Sequence, residues 1–478
     1  MLKNQIFNLL KIRRLLILNG LKYAVVITIS LSFSVSAQTL HVQGFVHGQS
    51  KVTDYVWPTD EKVLENLSKW RDQKFGVLLH WGLYSVPGIV ESWSICSEDV
   101  DWIVRNGNMN YDEYKKWYWG LKDSLNPVNF NPDTWADIMK DAGMKYMVFT
   151  TKHHDGFCMF DSKYTNFSIT HGPFSTDSRK NVAWHVFDAF RKEGFMIGCY
   201  FSKPDWHCRW FWNPYFATPH RGINYNKERH PDWWKKYQEF TGHQLNELTS
   251  DYGPLDILWL DGGWITGGDI NLDSILEKAR KRHPGLISVD RSIRGKNENY
   301  QTPERGIPDV QLDYPWESCI PLSNDWGWVP NASFKSSREV IALLAEIVAK
   351  GGCLLLGIGP TSDGLIEKSV EDCLHEVGNW LRINGEAIYE TRSIPMFHDE
   401  KVWFTGNKDG KTIYAIYIVG DGECLPSVIS WVGNVPRGKI VLLQNKKKIN
   451  YKVENDRVTL QIPEDVWTEP LVFRFEKK

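Results

Sequence analysis

Five short segments concentrate the side chains that could do chemistry. They are His80-Trp81-Gly82, Lys152-His153-His154-Asp155-Gly156-Phe157, Tyr200 and Ser202 with Asp205-Trp206, Trp259 and Asp261 with Gly262-Gly263-Trp264, and Asp290-Arg291. Imidazole beside carboxylate invites a metal reading, because both are common ligands. The spacing argues against it: there is no HxH, HExxH or CxxC, and on an extended strand His153 and His154 point to opposite faces. No metal or other cofactor is therefore expected. A G-x-S-x-G nucleophile elbow is missing, as are glycine-rich phosphate loops. What remains is a set of imidazoles and indoles around a carboxylate. That set suits a sugar, whose hydroxyls bond to His and Arg while its apolar face packs on Trp. Glycoside hydrolysis would need a second carboxylate beside the first.

These residues need a scaffold, and the pattern around them supplies one. Strand-like apolar runs span Phe75–His80, Lys145–Thr151, Phe195–Phe201, Leu255–Leu260, Leu286–Val289 and Cys353–Ile358. Amphipathic helical stretches such as Asp133–Ala142, Val182–Glu193, Trp233–Leu248 and Ser337–Lys350 precede strands, often through Gly143, Gly194, Gly253 or Gly351 at the turn. Near-continuous apolar strands alternating with helices predict a parallel sheet covered on both faces. Over residues 38–390 the natural closure is an α/β fold, a (β/α)8-like, TIM-type barrel, whose active groups sit at the C-terminal strand ends. Each of the five segments begins at such an end. Beyond about Glu390 short alternating runs separated by turn residues predict a C-terminal antiparallel β-sandwich over residues 391–478.

Composition narrows the classes further. Over 478 residues, Lys+Arg 56 against Asp+Glu 58 gives a formal charge of −2, which excludes a nucleic-acid binder working through a basic face. Residues 1–37 read as a secretory signal peptide: Lys3, Lys11, Arg13, Arg14 and Lys22, a short apolar run from Tyr23, and Val35-Ser36-Ala37 as cleavage site. Removal of those five basic residues shifts the charge from −2 to −7. An exported protein, periplasmic or extracellular, is expected, with no membrane span after cleavage. None of the eight cysteines forms a CxxC pair, and neither pairing nor oligomeric state is readable. The 23 Trp residues exceed what a core needs, and part of that excess is expected to line the sugar site.

The segments resemble the α-L-fucosidases of glycoside hydrolase family 29, in the form of a secreted, bacterial-type member. The resemblance is carried by Lys74–Pro87 (KFGVLLHWGLYSVP), Phe130–Ile138, Ala142–Asp161 with KHHDGF, Trp259–Gly262 (WLDG), Asn299–Glu304 (NYQTPE), Trp316–Cys319 (WESC) and Lys350–Gly364, in the family's order. It implies an exo-acting, retaining α-L-fucosidase that removes terminal fucosyl residues from oligosaccharides or glycoconjugates through a covalent fucosyl-enzyme. By the same resemblance Asp261 is the nucleophile and Glu304 the matching acid/base, with Glu298 and Glu317 as rivals. His80, His153, His154, Tyr200, Trp259 and Arg291 match sugar-binding positions; Trp81 and Trp93, at or just beyond strand ends, and Glu91 are expected to line the same site. Two motifs depart from the family. Its adjacent Glu-Trp pair is split here into Glu91-Ser92-Trp93, so that either Glu91 is displaced or Ser92 stands in its place. The family's GGNLLLNIGP is changed at both Asn positions, to Cys353 and Gly357. The split pair keeps two alternatives open: a sibling glycosidase for a fucose-like sugar such as α-L-galactose, and a catalytically silent glycan-binding homologue.

Overall fold

The computed structural model describes residues 55–98, 103, 105, 107–291, 293–463 and 470–478. The expected signal peptide lies outside the described residues. Seven parallel strands, β1 Phe75–Leu79, β2 Tyr146–Lys152, β3 Met196–Ser202, β4 Ile257–Asp261, β5 Ile287–Asp290, β6 Glu317–Pro321 and β7 Cys353–Ile358, form one curled sheet in the order β5-β4-β3-β2-β1-β7-β6. Every residue of β1, β2, β3, β6 and β7 is buried, as expected of strands covered by helices on one side and by barrel interior on the other.

The two edge strands, β5 and β6, are joined by irregular chain. Asn299 donates its backbone N–H to the Ser288 carbonyl of β5 at 2.9 Å. Farther along, Gln301 pairs in parallel with Trp316, the residue before β6, and Glu304 with Cys319 within it. Residues 299–304 thus climb through the gap in place of an eighth strand and deliver Glu304 at the top of the wall. β6 itself is the strand that apolar patterning does not announce, because it opens on Glu317 and ends on Pro321.

Helices α1 Glu61–Gln73, α2 Tyr111–Gly120, α3 Pro132–Asp141, α4 Val182–Lys192, α5 Pro231–Asp251, α6 Leu272–Arg282, α7 Ser337–Ala349 and α8 Lys368–Asn384 follow the strand-and-helix alternation. Their starts carry the expected caps: Asp60 for α1, Asn131 with Pro132 for α3, and reciprocal Asn110–Glu113 and Ser336–Glu339 boxes for α2 and α7. Trp70 of α1 plugs the barrel floor, stacked on Tyr300 at 4.0 Å.

The C-terminal strands form two antiparallel sheets. The larger orders β13 Lys448–Ile449, β12 Pro436–Leu442, β16 Leu471–Lys477, β10 Thr412–Tyr417, β9 Val402–Gly406 and β8 His398–Asp399; the smaller orders β11 Val428–Val432, β15 Arg457–Gln461 and β14 Tyr451–Glu454. Trp431 and Leu460 of the small sheet meet Phe404, Phe473 and Phe475 of the large one in a single apolar layer, which makes the pair a sandwich. Among the described residues no helix is long and apolar enough to cross a membrane.

Candidate active site

Side chains of a strand alternate between faces, so the inward stripe of the barrel can be followed upward. Leu78, Tyr146, Val148, Tyr200, Ile257, Trp259 and Val289 share one buried interior cluster. Two residues beyond Leu78 on that stripe comes His80; beyond Trp259 comes Asp261; beyond Val289 comes Arg291. The same alternation that buries the apolar interior therefore lifts three polar groups into its mouth.

The two adjacent histidines need a further device. The register of β2 against β3 shifts between Thr150 and Lys152. This corrects the expectation that His153 and His154 face opposite ways. The strand ends before them, their rings lie 4.2 Å apart, and both look into the cup. Lys152 turns outward and donates to Asp205 and Gln244, each at 3.0 Å.

Three donors converge on Asp261. Tyr200 donates its hydroxyl to Oδ2 at 2.6 Å, the Gly262 N–H donates to Oδ1 at 2.7 Å, and Arg291 reaches Oδ1 at 3.2 Å. Burial alone would raise the carboxyl's pKa. The Arg291 guanidinium and the Tyr200 hydroxyl outweigh it and hold Asp261 well below the usual carboxylate range. The other terminal nitrogen of Arg291 bonds to Glu304, so one guanidinium spans both carboxylates. Trp326 donates its indole N–H to the other oxygen of Glu304 at 3.2 Å. The Arg291 plane also lies over Trp259 at 5.1 Å.

The imidazoles are neutral. Desolvation, helped by a neighbouring imidazole, pushes His80 and His153 well below their ordinary pKa, and desolvation takes His154 to about 4. Ser202 donates to the Pro204 carbonyl at 2.6 Å, so its oxygen accepts from Nδ1–H of His154 at 2.7 Å. That leaves the bare Nε2 of His154 3.8 Å from Oδ2 of Asp261, two acceptors with room for a hydroxyl proton between them. Both ring nitrogens of His80 are buried without a protein partner. Such atoms cost about 1–3 kcal/mol each unless something bonds to them, and a polyhydroxylated ligand would. Trp93, Trp264 and Trp206 wall the cup around His154, at 5.1, 5.1 and 5.2 Å.

One atom each from His153, His154 and Asp261 lies within 4.8 Å of the others, a grouping that could hold a metal ion. The Arg291 cation on Asp261 puts a fixed positive charge beside that point, so the trio fits a hydroxyl-binding cup better than a dication.

Four expected site residues stand elsewhere. Trp81 faces away from the interior, packs against Trp135 at 5.1 Å and donates to the Thr361 carbonyl. Glu91 is buried and accepts the backbone N–H groups of Trp326 and Gly327, at 2.8 and 3.3 Å. It props the Trp326 turn, and burial raises its pKa to about 7. Ser92 occupies the cup instead, 2.5 Å from Nδ1 of His153. Glu298 lies one residue before the Asn299–Ser288 pairing, near Tyr55 and well below Glu304. Glu317 sits under the floor, where Tyr146 donates to it at 2.7 Å and Trp259 at 3.3 Å. Its pKa too is raised by burial to about 7.

Other carboxylates of the five segments fasten loops. Asp155 accepts from Tyr118 of α2 at 2.7 Å, and Asp290 pairs with the buried Lys203. Trp326 follows the unannounced strand β6, so reading off strand ends does not reach it. Gly357 explains its seat: a Cβ there would come within 2.6 Å of the Trp326 ring.

A parallel barrel with a blind cup of neutral imidazoles, indoles and an ionised carboxylate under a shared guanidinium defines a sugar-processing enzyme, a glycoside hydrolase. The chain belongs to the α-L-fucosidase family, whose pattern it matches over residues 44–386. It is similar to the plasma α-L-fucosidase of Homo sapiens, 31% identical over 384 residues that cover 76% of this chain and 78% of the relative. Among solved structures it resembles α-L-fucosidase isoenzyme 1 from Paenibacillus thiaminolyticus, with TM-score 0.73 and 28% identity over 87% of this chain and all of the other. The Thermotoga maritima α-fucosidase in complex with a mechanism-based inhibitor gives TM-score 0.70 and 26% identity, with 88% and 100% covered.

Proposed function

We propose that this enzyme is an exo-acting, retaining α-L-fucosidase that releases terminal α-L-fucosyl residues from oligosaccharides or glycoconjugates outside the cytoplasm, after cleavage of the 1–37 signal peptide. The observation that carries the reading is the Arg291 fork, which holds Asp261 and Glu304 together. Two carboxylates within reach of one guanidinium suit the ~5–5.5 Å separation of retaining glycosidases better than the wider gap that inversion requires.

Asp261, ionised in the free enzyme, attacks the anomeric carbon while the protonated Glu304 gives its proton to the departing oxygen. The fucosyl ester that forms removes the charge of Asp261. The Arg291 cation then belongs to Glu304 alone and favours its carboxylate form, the base needed to take a proton from the incoming water. Water attack at the same carbon breaks the ester and returns Asp261 to its ionised state. The closed floor of Trp259 and Tyr200 supports action on chain ends.

The test is hydrolysis of an aryl α-L-fucoside with retained configuration. Asp261→Asn should abolish turnover, and azide should rescue Glu304→Ala with formation of a fucosyl azide. Full activity of Asp261→Asn, or no fucose release by the wild type, would overturn the proposal. One observation supports a second reading: the short Ser92 leaves the cup wall without a carboxylate, which suits a fucose-like sugar with a different hydroxyl pattern, such as α-L-galactose. A panel of aryl glycosides separates the two.

A further inference from the structure

Past the rim of the cup, the loop after β4 and residues 220–227 enclose a second cleft of about 390 Å3. That is within the ~300–1,000 Å3 of small-ligand sites. It shares a wall with the cup. Trp264 lines it and also packs on His154 and Trp93, at 5.1 and 5.8 Å. The Arg221 guanidinium, another lining group, lies over the rings of Trp93 and Trp264 at 4.8 and 5.3 Å. A glycan seated in the cup and longer than one sugar has this cleft directly beyond the Trp264 rim.

The lining chemistry is that of a neutral sugar site. Its permanent charges come as two pairs, with the imidazole of His220 beside them. Arg221 donates from Nε to the Glu98 carboxylate at 2.7 Å, and Lys227 meets Asp269 at 3.2 Å. Because each of these cations already has its own carboxylate, neither is left over for a sulfate or a uronate. Fixed carboxylate oxygens remain to accept hydroxyl protons, a lysine to donate, and the half-buried indole of Trp234, with Lys227 5.0 Å from its centre, to stack under a ring.

We infer that this cleft binds the leaving-group sugar of the substrate, a neutral pyranose docked on Trp234 and held by the Lys227–Asp269 pair. The inference rests on the fucosidase reading above, and its test is built to fail separately. The first measurement compares kcat/KM for a neutral fucosylated trisaccharide with that for an aryl fucoside, whose leaving group is too small to fill the cleft. In Trp234→Ala and in Asp269→Asn the trisaccharide-to-aryl ratio should fall at least fivefold, chiefly through KM. The second measurement is binding of the free, unfucosylated disaccharide, followed by tryptophan fluorescence in wild type and Trp234→Ala. It involves no bond cleavage and so reports on the cleft even if no fucoside is hydrolysed. An unchanged ratio in both variants, binding of the disaccharide that survives Trp234→Ala, or stronger binding of a sulfated disaccharide than of the neutral one would overturn the inference.

Discussion

Arg291→Met removes the charge that joins the two carboxylates and keeps most of the side-chain volume. Its partners are buried enough for the interaction to be strong: side-chain exposure is 9% for Arg291 and 14% for Asp261. At an effective dielectric of ~20, opposite charges ~4 Å apart attract by about 4 kcal/mol. At about 1.36 kcal/mol per unit, that corresponds to roughly three pKa units. The Tyr200 and Gly262 hydrogen bonds survive the substitution, so this is the upper end of the shift. The sign follows from the depressed pKa: wild-type Asp261 is ionised across the working range, and loss of the cation moves it up into the range of ordinary carboxylates or beyond. The kcat/KM profile of Arg291→Met for an aryl α-L-fucoside should therefore gain an acid limb that the wild type lacks, with activity lost as pH falls through the new pKa. On the plateau above that limb, loss of a buried electrostatic partner should lower kcat/KM by about 10²–10³. Arg291→Lys, which keeps the charge and loses the fork, should fall between the two. An unchanged acid side together with activity close to wild type would refute the argument, because Arg291 could then be neither holding Asp261 ionised nor pairing it with Glu304.

Two further substitutions address the groups that surround this pair. Ser92→Ala leaves Nδ1 of buried His153 without its partner, at a cost of about 1–3 kcal/mol. It should lower kcat/KM roughly tenfold, mainly through KM, while circular dichroism shows the fold intact; equal kinetics would remove Ser92 from the site. Glu317→Gln tests the raised pKa of about 7 under the floor. A carboxyl that holds its proton in the folded state, and loses it near its ordinary pKa in the unfolded chain, makes folding less favourable as pH rises between those two values. That penalty is up to ~3 kcal/mol above the folded pKa. Glu317→Gln should accordingly gain Tm over the wild type at pH 8 and show little or no gain at pH 4.5, read by thermal denaturation at the two pH values.

The barrel was largely legible because burial on both faces leaves its strands almost purely apolar. β7, Cys353–Ile358, coincides with the apolar run, and β1 to β5 lie within about two residues of theirs. β6 was not, because its sequence ESCIP places Glu317 inside the barrel, where partners on β2 and β4 satisfy it. No local pattern reveals partners 171 and 58 residues away in sequence. The histidine pair failed for a related reason: strand alternation assumes a regular strand, and a register shift decided which way both rings point. Trp81 followed from proximity to a strand end, yet alternation, applied from His80 outward, puts it on the helix side. In the split Glu91-Ser92-Trp93 the sequence posed two alternatives, and the structure realises both: Glu91 is displaced onto the Trp326 turn, and Ser92 stands in the cup.

Glu91, Glu304 and Glu317 together show how far electrostatic perturbation can identify a catalytic acid. Glu91 and Glu317 both have carboxyl groups raised to about 7, the range expected of a general acid at neutral pH. In both the largest cause is desolvation, and in both the oxygens are committed to the protein, to backbone N–H groups at Glu91 and to Tyr146 and Trp259 at Glu317. A proton held by burial beneath the floor cannot reach a glycosidic oxygen in the cup. Glu304 is at the rim, 22% exposed, bonded to the arginine that also bonds to Asp261. Exchange with solvent and access to the anomeric centre are what an acid/base requires before its pKa matters. By that ordering, geometry first and titration second, Glu304 is the carboxylate of the three suited to the role. The tryptophan turn over it, propped by Glu91 and seated on Gly357, then has a mechanical purpose: it fixes Oε1 of Glu304 while Arg291 fixes Oε2.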